Sequence, residues 1–363
     1  MLIRRKNGIA LLVAVFALAF VLAGCSGKGS GQGGSSQPQE SPAGPSAESP
    51  AASQPSGQEQ EKEWFVVMVT DVGGVHDNSF NQSAWEGLQE LASKYKVKVD
   101  YLQSQSDADY VPNLNQFVKG GADLTWGIGF LMGDAVKQVA DQNPDAKLAI
   151  IDAVVDAPNV ASVTFKEHEG SFLVGVVAGL MTKTNKIGFV GGMEIPVIKR
   201  FEAGFVAGVK AVKPDANIII NYTGAFDAPD QGKAAAATIF NDGADIIFHA
   251  AGATGDGVFN EGSERKMRNN EDVWVIGVDK DQALTFGHEI TLTSMMKRVD
   301  QAVMRVSGDL IEGRFQPGLT ELGLAENGVG LPENNPNIPQ EVLDKVKEFE
   351  QKIISGEIQV PSE

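Results

Sequence analysis

Residues 65–95 read FVVMVTDVGGVHDNSFNQSAWEGLQELASKY. Phe65–Val69 is an unbroken apolar run rich in β-branched residues, the length of a strand and too short for a helix. Gly73, Gly74 and the cluster Asp77-Asn78-Ser79 follow with turn chemistry. From Phe80 to Tyr95 the apolar positions recur at helical spacing. A strand without polar alternation, joined by a short polar loop to a helix, is the opening of a parallel sheet covered on both faces.

The same cycle continues outward. Val97–Leu102, Leu124–Ile128 and Leu148–Ile151 read as strands, with helices at Tyr110–Lys119 and Leu131–Gln142 between them. A long helix, His168–Met181, separates this half from a second one. There the strands are Ile187–Val190, Ile218–Tyr222, Ile246–Phe248 and Val273–Val278, spaced by helices near Val197–Val212, Gln231–Asn241 and Gly257–Arg268. The fold class expected is α/β: two doubly wound parallel-sheet lobes, 64–164 and 165–289, joined by a hinge. A tail holds a strand near Ile290–Met295, a helix at Val299–Gly313, a short run Glu321–Ala325 and a helix near Glu341–Ile354. It is expected to cross between the lobes, residues 290–318 joining the first and 319–360 the second.

The amino terminus carries different information. Arg4, Arg5 and Lys6 precede the apolar run Ile9–Ala23, too short for an ordinary spanning helix and placed as in a secretory signal. Leu22-Ala23-Gly24-Cys25 follows, and it resembles the bacterial lipobox. Residues 1–24 are therefore expected to be a signal peptide and Cys25 the lipidated residue, its acyl chains holding the protein to a membrane. Residues 26–62 consist almost wholly of Gly, Ser, Pro, Gln, Ala and Glu, a composition that cannot offset its ordering entropy by burial and reads as a tether.

Charge and cysteine content remove several classes of function. The chain has 30 basic and 47 acidic residues, a net charge of -17 over 363 residues. A surface this acidic repels phosphate backbones, so nucleic acid is not an expected partner. One cysteine excludes an intramolecular disulfide. His76, His168, His249 and His288 show no metal-ligand spacing, and no nucleophile motif is present. Gly252–Gly257 is glycine-rich without the dinucleotide fingerprint. No metal, no cofactor and no catalytic residue is expected, and the chain reads as a binding protein rather than an enzyme.

Ligands of open parallel sheets bind beyond the carboxyl ends of the strands. The residues at those ends are Asp71, Phe80, Asn81, Phe130 and Asp152 in the first half and Phe226, Gly252, Asp279 and Lys297 in the second. Singly, each has an ordinary structural reading as a cap, a core aromatic or a surface charge. Together they make a lining of aromatics, carboxylates and one lysine. Such a lining suits a neutral polyol or a nucleoside, by stacking on planar rings and accepting hydrogen bonds from hydroxyl or ring N–H groups.

Several spaced motifs carry a resemblance. Asp71-Val72-Gly73-Gly74-Val75-His76-Asp77-Asn78-Ser79-Phe80-Asn81-Gln82 with Trp85-Glu86-Gly87 resembles the signature of the basic membrane protein family of lipoproteins. Gly191-Gly192-Met193, Phe201-Glu202-Ala203-Gly204-Phe205, Gly224-Ala225-Phe226 with Gly232-Lys233, Ile276-Gly277-Val278-Asp279 and Ser294-Met295-Met296-Lys297 resemble it in the same order. The resemblance implies a type I periplasmic-binding-protein fold and a purine nucleoside (guanosine, inosine or adenosine) delivered to the permease of an ABC importer. It further implies a base held between Phe80 and Phe226, a base edge read by Asp152, and ribose hydroxyls held by Asp279 and Lys297. Asp71, Asn81 and Gly252 would complete the polar shell, with Phe130 lining it. A monomer is expected, anchored on the extracytoplasmic face of the cell membrane. The alternatives are a sugar or other small polar solute in the same cleft, or a surface sensor or adhesin without a transport role.

Overall fold

The computed structural model describes residues 62–363. The expected signal peptide, the Cys25 expected to be lipidated and all but the end of the expected tether lie outside the described residues.

The first half runs β1 (Trp64–Thr70), α1 (Phe80–Lys94), β2 (Val97–Gln103), α2 (Tyr110–Lys119), β3 (Leu124–Ile128), α3 (Gly133–Gln142), β4 (Leu148–Ile151) and β5 (Val160–Phe165). The second runs α4 (Glu167–Met181), β6 (Lys186–Gly191), α5 (Pro196–Val212), β7 (Asn217–Tyr222), α6 (Pro229–Asn241), β8 (Ile246–Ala250), α7 (Thr254–Asn269), β9 (Trp274–Asp279), α8 (Ala283–Phe286) and β10 (Thr291–Lys297). The tail adds α9 (Val299–Ile311), β11 (Gly318–Leu322), β12 (Val329–Gly330) and α10 (Gln340–Ile354).

Each half builds a six-stranded sheet, in the orders β11-β5-β4-β3-β1-β2 and β12-β10-β9-β8-β6-β7. All pairings in the first are parallel, and in the second only β12 runs antiparallel, against β10. The two orders repeat one another, with a reversal of winding between β1 and β3 and again between β6 and β8. A reversal of that kind opens a crevice at the strands' carboxyl ends. The two-lobe α/β fold expected from the alternation is the fold observed.

The tail departs from expectation. β10 pairs with β9 in the second sheet, not the first, while β11 pairs with β5 in the first, not the second. The reason is continuity. β10 follows β9 by a short connection and extends its sheet, so the crossing to the first lobe waits for α9. There the buried indole of Trp126 on β3 donates from Nε1 to Ser307 Oγ on α9 at 3.0 Å. The sequence reading has no strand where β5 lies; it pairs in parallel with β4, and its apolar residues are buried beside it.

The apolar run that opened the sequence is explained by its two covers. Val66 and Met68 point into one core with Leu88 and Leu91 of α1 and Val303 of α9. Val67 and Val69 point into another with Tyr110 and Leu114 of α2 and Val136 and Val139 of α3. Successive strand residues face opposite ways, so a strand covered twice has no polar positions.

The second lobe is joined through α4, which is buried along nearly its whole length against α5. The two helices approach at glycines: a Cβ at Gly208 would stand 2.0 Å from the carbonyl oxygen of Phe172, and one at Gly204 2.1 Å from that of His168. Gly208→Ala would therefore force the helices apart, and overpacking of this kind costs about 1–3 kcal/mol. Chemical denaturation is expected to show that loss; an unchanged midpoint would mean the helices separate freely.

Candidate functional site

A cavity lies between the lobes, at the carboxyl ends of both sheets. It encloses about 570 Å³ of open space, its mouth included. All nine residues singled out from the sequence line it: Asp71, Phe80, Asn81, Phe130, Asp152, Phe226, Gly252, Asp279 and Lys297.

The first wall is built by the loop between β1 and α1. Asp77 is its organiser. Its carboxylate accepts from the backbone N–H of Ser79 at 3.0 Å, of Asn81 at 2.8 Å and of Gln82 at 3.0 Å, groups that the start of α1 leaves without helical partners. Asn81 Nδ2 then bridges Asp71 Oδ1 at 2.8 Å and Asp77 Oδ2 at 3.0 Å. This orients the Asn81 amide, because its nitrogen is engaged by two carboxylates. Its oxygen, Oδ1, is buried without a partner among the described residues. Phe80 opens the same helix, half-buried, and its ring enters the cavity.

The floor is ionic. Lys297, the last residue of β10, is almost fully buried, and its Nζ stands 2.6 Å from Asp152 Oδ2 and 3.1 Å from Glu167 Oε1. Glu167 opens α4 and is held in turn by Arg200 of α5, Nε to Oε2 at 2.6 Å. The ammonium also lies 5.1 Å from the ring centres of Phe80 and Phe165 and 5.6 Å from that of Phe201, within cation–π range. Burial pushes Lys297 down, but Asp152 and Glu167 outweigh it and hold the ammonium above its ordinary range. Burial likewise pushes Glu167 up, and Lys297 with Arg200 reverses that, so its carboxyl sits below its usual value. Asp152 stays raised, burial exceeding the pull of Lys297. Its second oxygen, Oδ1, is buried without a partner among the described residues.

The second lobe supplies Phe226, Gly252 and Asp279. The Phe226 ring packs on Gly192, where a Cβ would come within 2.4 Å of it, so the glycine makes room for the aromatic. Gly252 has φ +55°, a left-handed turn that lets the chain pass close beside Phe226. Asp279 accepts a short hydrogen bond from Ser79 Oγ of the opposite lobe. Burial raises its pKa to about 7 despite Lys297, and burial raises that of Asp71 to about 6. Asp152 and Asp279 both adopt positive φ, +70° and +64°. Aspartate tolerates that region at some cost, and such positions gather at functional sites.

Four carboxylates therefore line the cavity with one cation, and that cation is already neutralised by Asp152 and Glu167. The arrangement offers acceptors to donors on a ligand and, among the described residues that line it, has no free positive charge for a phosphate. Aromatic rings from both lobes supply flat apolar surface.

The sequence reading missed Glu167, Arg200 and the apolar edge of α5. Ile195, Val197, Ile198 and Phe201 also line the cavity, yet they read as the core face of a helix. The available signal was Pro196, which marks the start of α5 at a sheet's carboxyl edge.

Comparison with known proteins agrees with this geometry. Residues 65–363 match the family described as ABC transporter substrate-binding protein PnrA-like. The chain is 48% identical over 316 residues to the CD4+ T-cell-stimulating antigen of Listeria monocytogenes, covering 83% of this chain and 88% of that one. It is 40% identical over 313 residues to the ABC transporter nucleoside-binding protein BmpA of Lactococcus lactis, covering 82% and 89%. Among solved structures, an ABC transporter solute-binding protein of Aeropyrum pernix superimposes with a TM-score of 0.76 at 32% identity, over 83% of this chain and 94% of that one.

Proposed function

Because the chain belongs to the PnrA-like family of ABC transporter substrate-binding proteins, whose members bind solutes rather than transform them, we propose that it captures a purine nucleoside between its lobes. One observation carries the reading: Phe80 from the first lobe and Phe226 from the second line the same cavity as four carboxylates and a neutralised lysine. Two rings on opposite lobes stack on a planar base from both sides only when the lobes close, so ligand and closure are linked. Asn81 Oδ1 and Asp152 Oδ1 accept from ring N–H or amino groups, and Asp279 accepts from ribose hydroxyls. Nucleotides are refused, since their phosphates would face carboxylates. The relative from Lactococcus lactis carries nucleoside binding in its name, which supports the same class of ligand.

The anchor belongs to the same proposal. Among the described residues no helix is long and apolar enough to cross a membrane. Acylation at Cys25 accounts for attachment, with residues 26–62 as the tether and an ABC permease as the acceptor on the extracytoplasmic face. A monomer suffices, because one chain supplies both walls of the cavity.

The test is a thermal-shift screen against nucleosides, free bases, sugars, amino acids and nucleotides, after partial unfolding to strip carried-over ligand. A nucleoside at a hundred times its Kd is expected to add about 2.7 kcal/mol, with no shift from ribose or guanosine monophosphate. A shift with sugars alone would replace the ligand class; none with any compound would favour a sensor or adhesin. Phe226→Ala is expected to weaken nucleoside binding by about 1–3 kcal/mol, measured by titration calorimetry. Unchanged affinity would remove the sandwich.

A further inference from the structure

A second set of contacts joins the lobes outside the cavity. Asn78 of the first lobe donates from Nδ2 to Asp256 Oδ2 at the start of α7, at 2.9 Å. Its own carbonyl accepts from Gln282 Nε2 at 3.1 Å. About two turns further along α1, Glu86 pairs with Lys280 at 2.5 Å. Asn78, Glu86, Asp256, Lys280 and Gln282 are all absent from the cavity lining. We propose that Asn78 and Gln282, with Asp256, form a latch that holds the lobes closed and sets how fast captured nucleoside leaves; the inference rests on the reading above.

Gln282 is built for one orientation. It is fully buried. Its Oε1 accepts from the backbone N–H of Val278 at 3.0 Å and meets His249 Nε2 at 2.9 Å. Its own N–H donates to Ser294 Oγ at 3.1 Å. Burial holds the His249 pKa down at about 4, so the ring is neutral at neutral pH. Since Oε1 has no proton to give, His249 must carry its proton on Nε2. With Oε1 engaged twice, the amide cannot flip, and Nε2 is fixed toward Asn78. Strands β8 and β9 thus hold the side chain of Gln282 and β10 its backbone, fixing one residue whose amide reaches the other lobe.

Asn78 is shaped to receive it. Its φ of +52° is left-handed, which turns its carbonyl and its side chain to the second lobe together. The next two residues are Ser79, which donates to Asp279, and Phe80, which lines the cavity. Opening the lobes breaks the bonds of Asn78 to Asp256, of Gln282 to the Asn78 carbonyl and of Ser79 to Asp279, and exchanges each for water. The latch acts on ligand by position, and none of its three side chains lines the cavity.

The experiment uses the full chain with guanosine as probe and stopped-flow tryptophan fluorescence as readout. Asn78→Gly keeps the left-handed backbone and removes the amide. Gln282→Glu keeps Oε1 and sets an oxygen against the Asn78 carbonyl. Each is expected to raise the dissociation rate by about tenfold with little change in the association rate. Asn78→Gly combined with Asp256→Ala is expected to dissociate no faster than the faster single variant, because the two remove one shared bond. Dissociation rates equal to wild type, effects confined to association, or fully multiplicative single effects would each overturn the latch.

If wild type binds none of guanosine, inosine and adenosine, the nucleoside reading fails by itself. The latch is then read in ligand-free full chain carrying Cys25→Ser, with fluorophores on Gln138→Cys and Met267→Cys, exposed positions on opposite lobes. Transfer efficiency that shifts in Asn78→Gly and Gln282→Glu supports it, and identical efficiencies end it.

Discussion

Lys297→Met is expected to cost about 3–5 kcal/mol of folding stability at neutral pH, the usual penalty for removing one partner of a buried ion pair. The methionine fills much the same space, so the loss is electrostatic rather than steric. What it leaves behind is unequal. Glu167 keeps Arg200, 2.6 Å away. Asp152 loses the only cation within bonding distance among the described residues, 2.6 Å away in the wild type, and its position is buried. An isolated buried carboxylate takes up a proton rather than stay charged. The pH dependence follows with a definite sign. Asp152 is already raised above its ordinary value by burial, and losing Lys297 raises it further. A carboxylate raised in the folded state costs stability as pH climbs from its unfolded value to its folded one. The deficit of Lys297→Met should therefore shrink toward acid pH, where Asp152 is protonated in both proteins.

Adding Asp152→Asn is the decisive second variant. Asparagine accepts the left-handed backbone that Asp152 adopts at φ +70°. If the penalty comes from an unpaired charge, the double variant should recover more than half of the lost stability in chemical denaturation. If it comes from lost packing against Phe80, Phe165 and Phe201, nothing is recovered. Nucleoside binding should stay weak in both, because the cavity floor has changed.

The same cluster shows how far the residues speak for themselves. Asp71, Asp152, Asp279 and Lys297 were legible because each ends a strand, and the carboxyl edge of a parallel sheet is where ligands bind. Phe80 and Phe226 were legible as aromatics beside turn residues. Glu167 and Arg200 were not. Glu167 looks like a first-turn acid placed to suit a helix dipole, and Arg200 looks like a surface charge on an amphipathic helix. Their pairing depends on how α4 lies on α5, which glycines 204 and 208 decide at a distance no local pattern reveals. The tail is opaque for a similar reason: the sheet each of its strands joins is chosen by which edge remains open, and no local pattern records that. Gln282 carries no signal at all along the chain. Its role arises only where β8, β9, β10 and the opposite lobe meet.

Asp279→Asn is expected to stabilise the ligand-free protein while it weakens ligand capture. Asp279 is buried, and its pKa is raised to about 7 from 3.8, chiefly by burial, with Asp77 and Asp152 adding repulsion and Lys297 and Ser79 opposing it. Between those pH values the folded chain holds a proton that the unfolded chain releases, so stability falls as pH rises and levels off above about pH 7. A shift of about three units is worth on the order of 4 kcal/mol; opening of the lobes rehydrates the group, so about 2–4 kcal/mol is the expected gain at pH 8. Asparagine removes the charge, keeps an oxygen to accept from Ser79, and suits the φ of +64°. Denaturation of wild type and variant should coincide near pH 4 and separate progressively up to pH 8. A constant difference at all pH values would assign the effect to backbone strain instead. Affinity should move the other way, since a carboxylate accepting from two hydroxyls is a stronger partner than an amide, by about 1.5–3 kcal/mol for hydrogen bonds to a charged group. A gain in stability coupled to a loss of binding would identify Asp279 as a charge kept for the ligand at the expense of the fold. A variant that gains stability and binds as tightly as wild type would show that the ligand does not use this carboxylate.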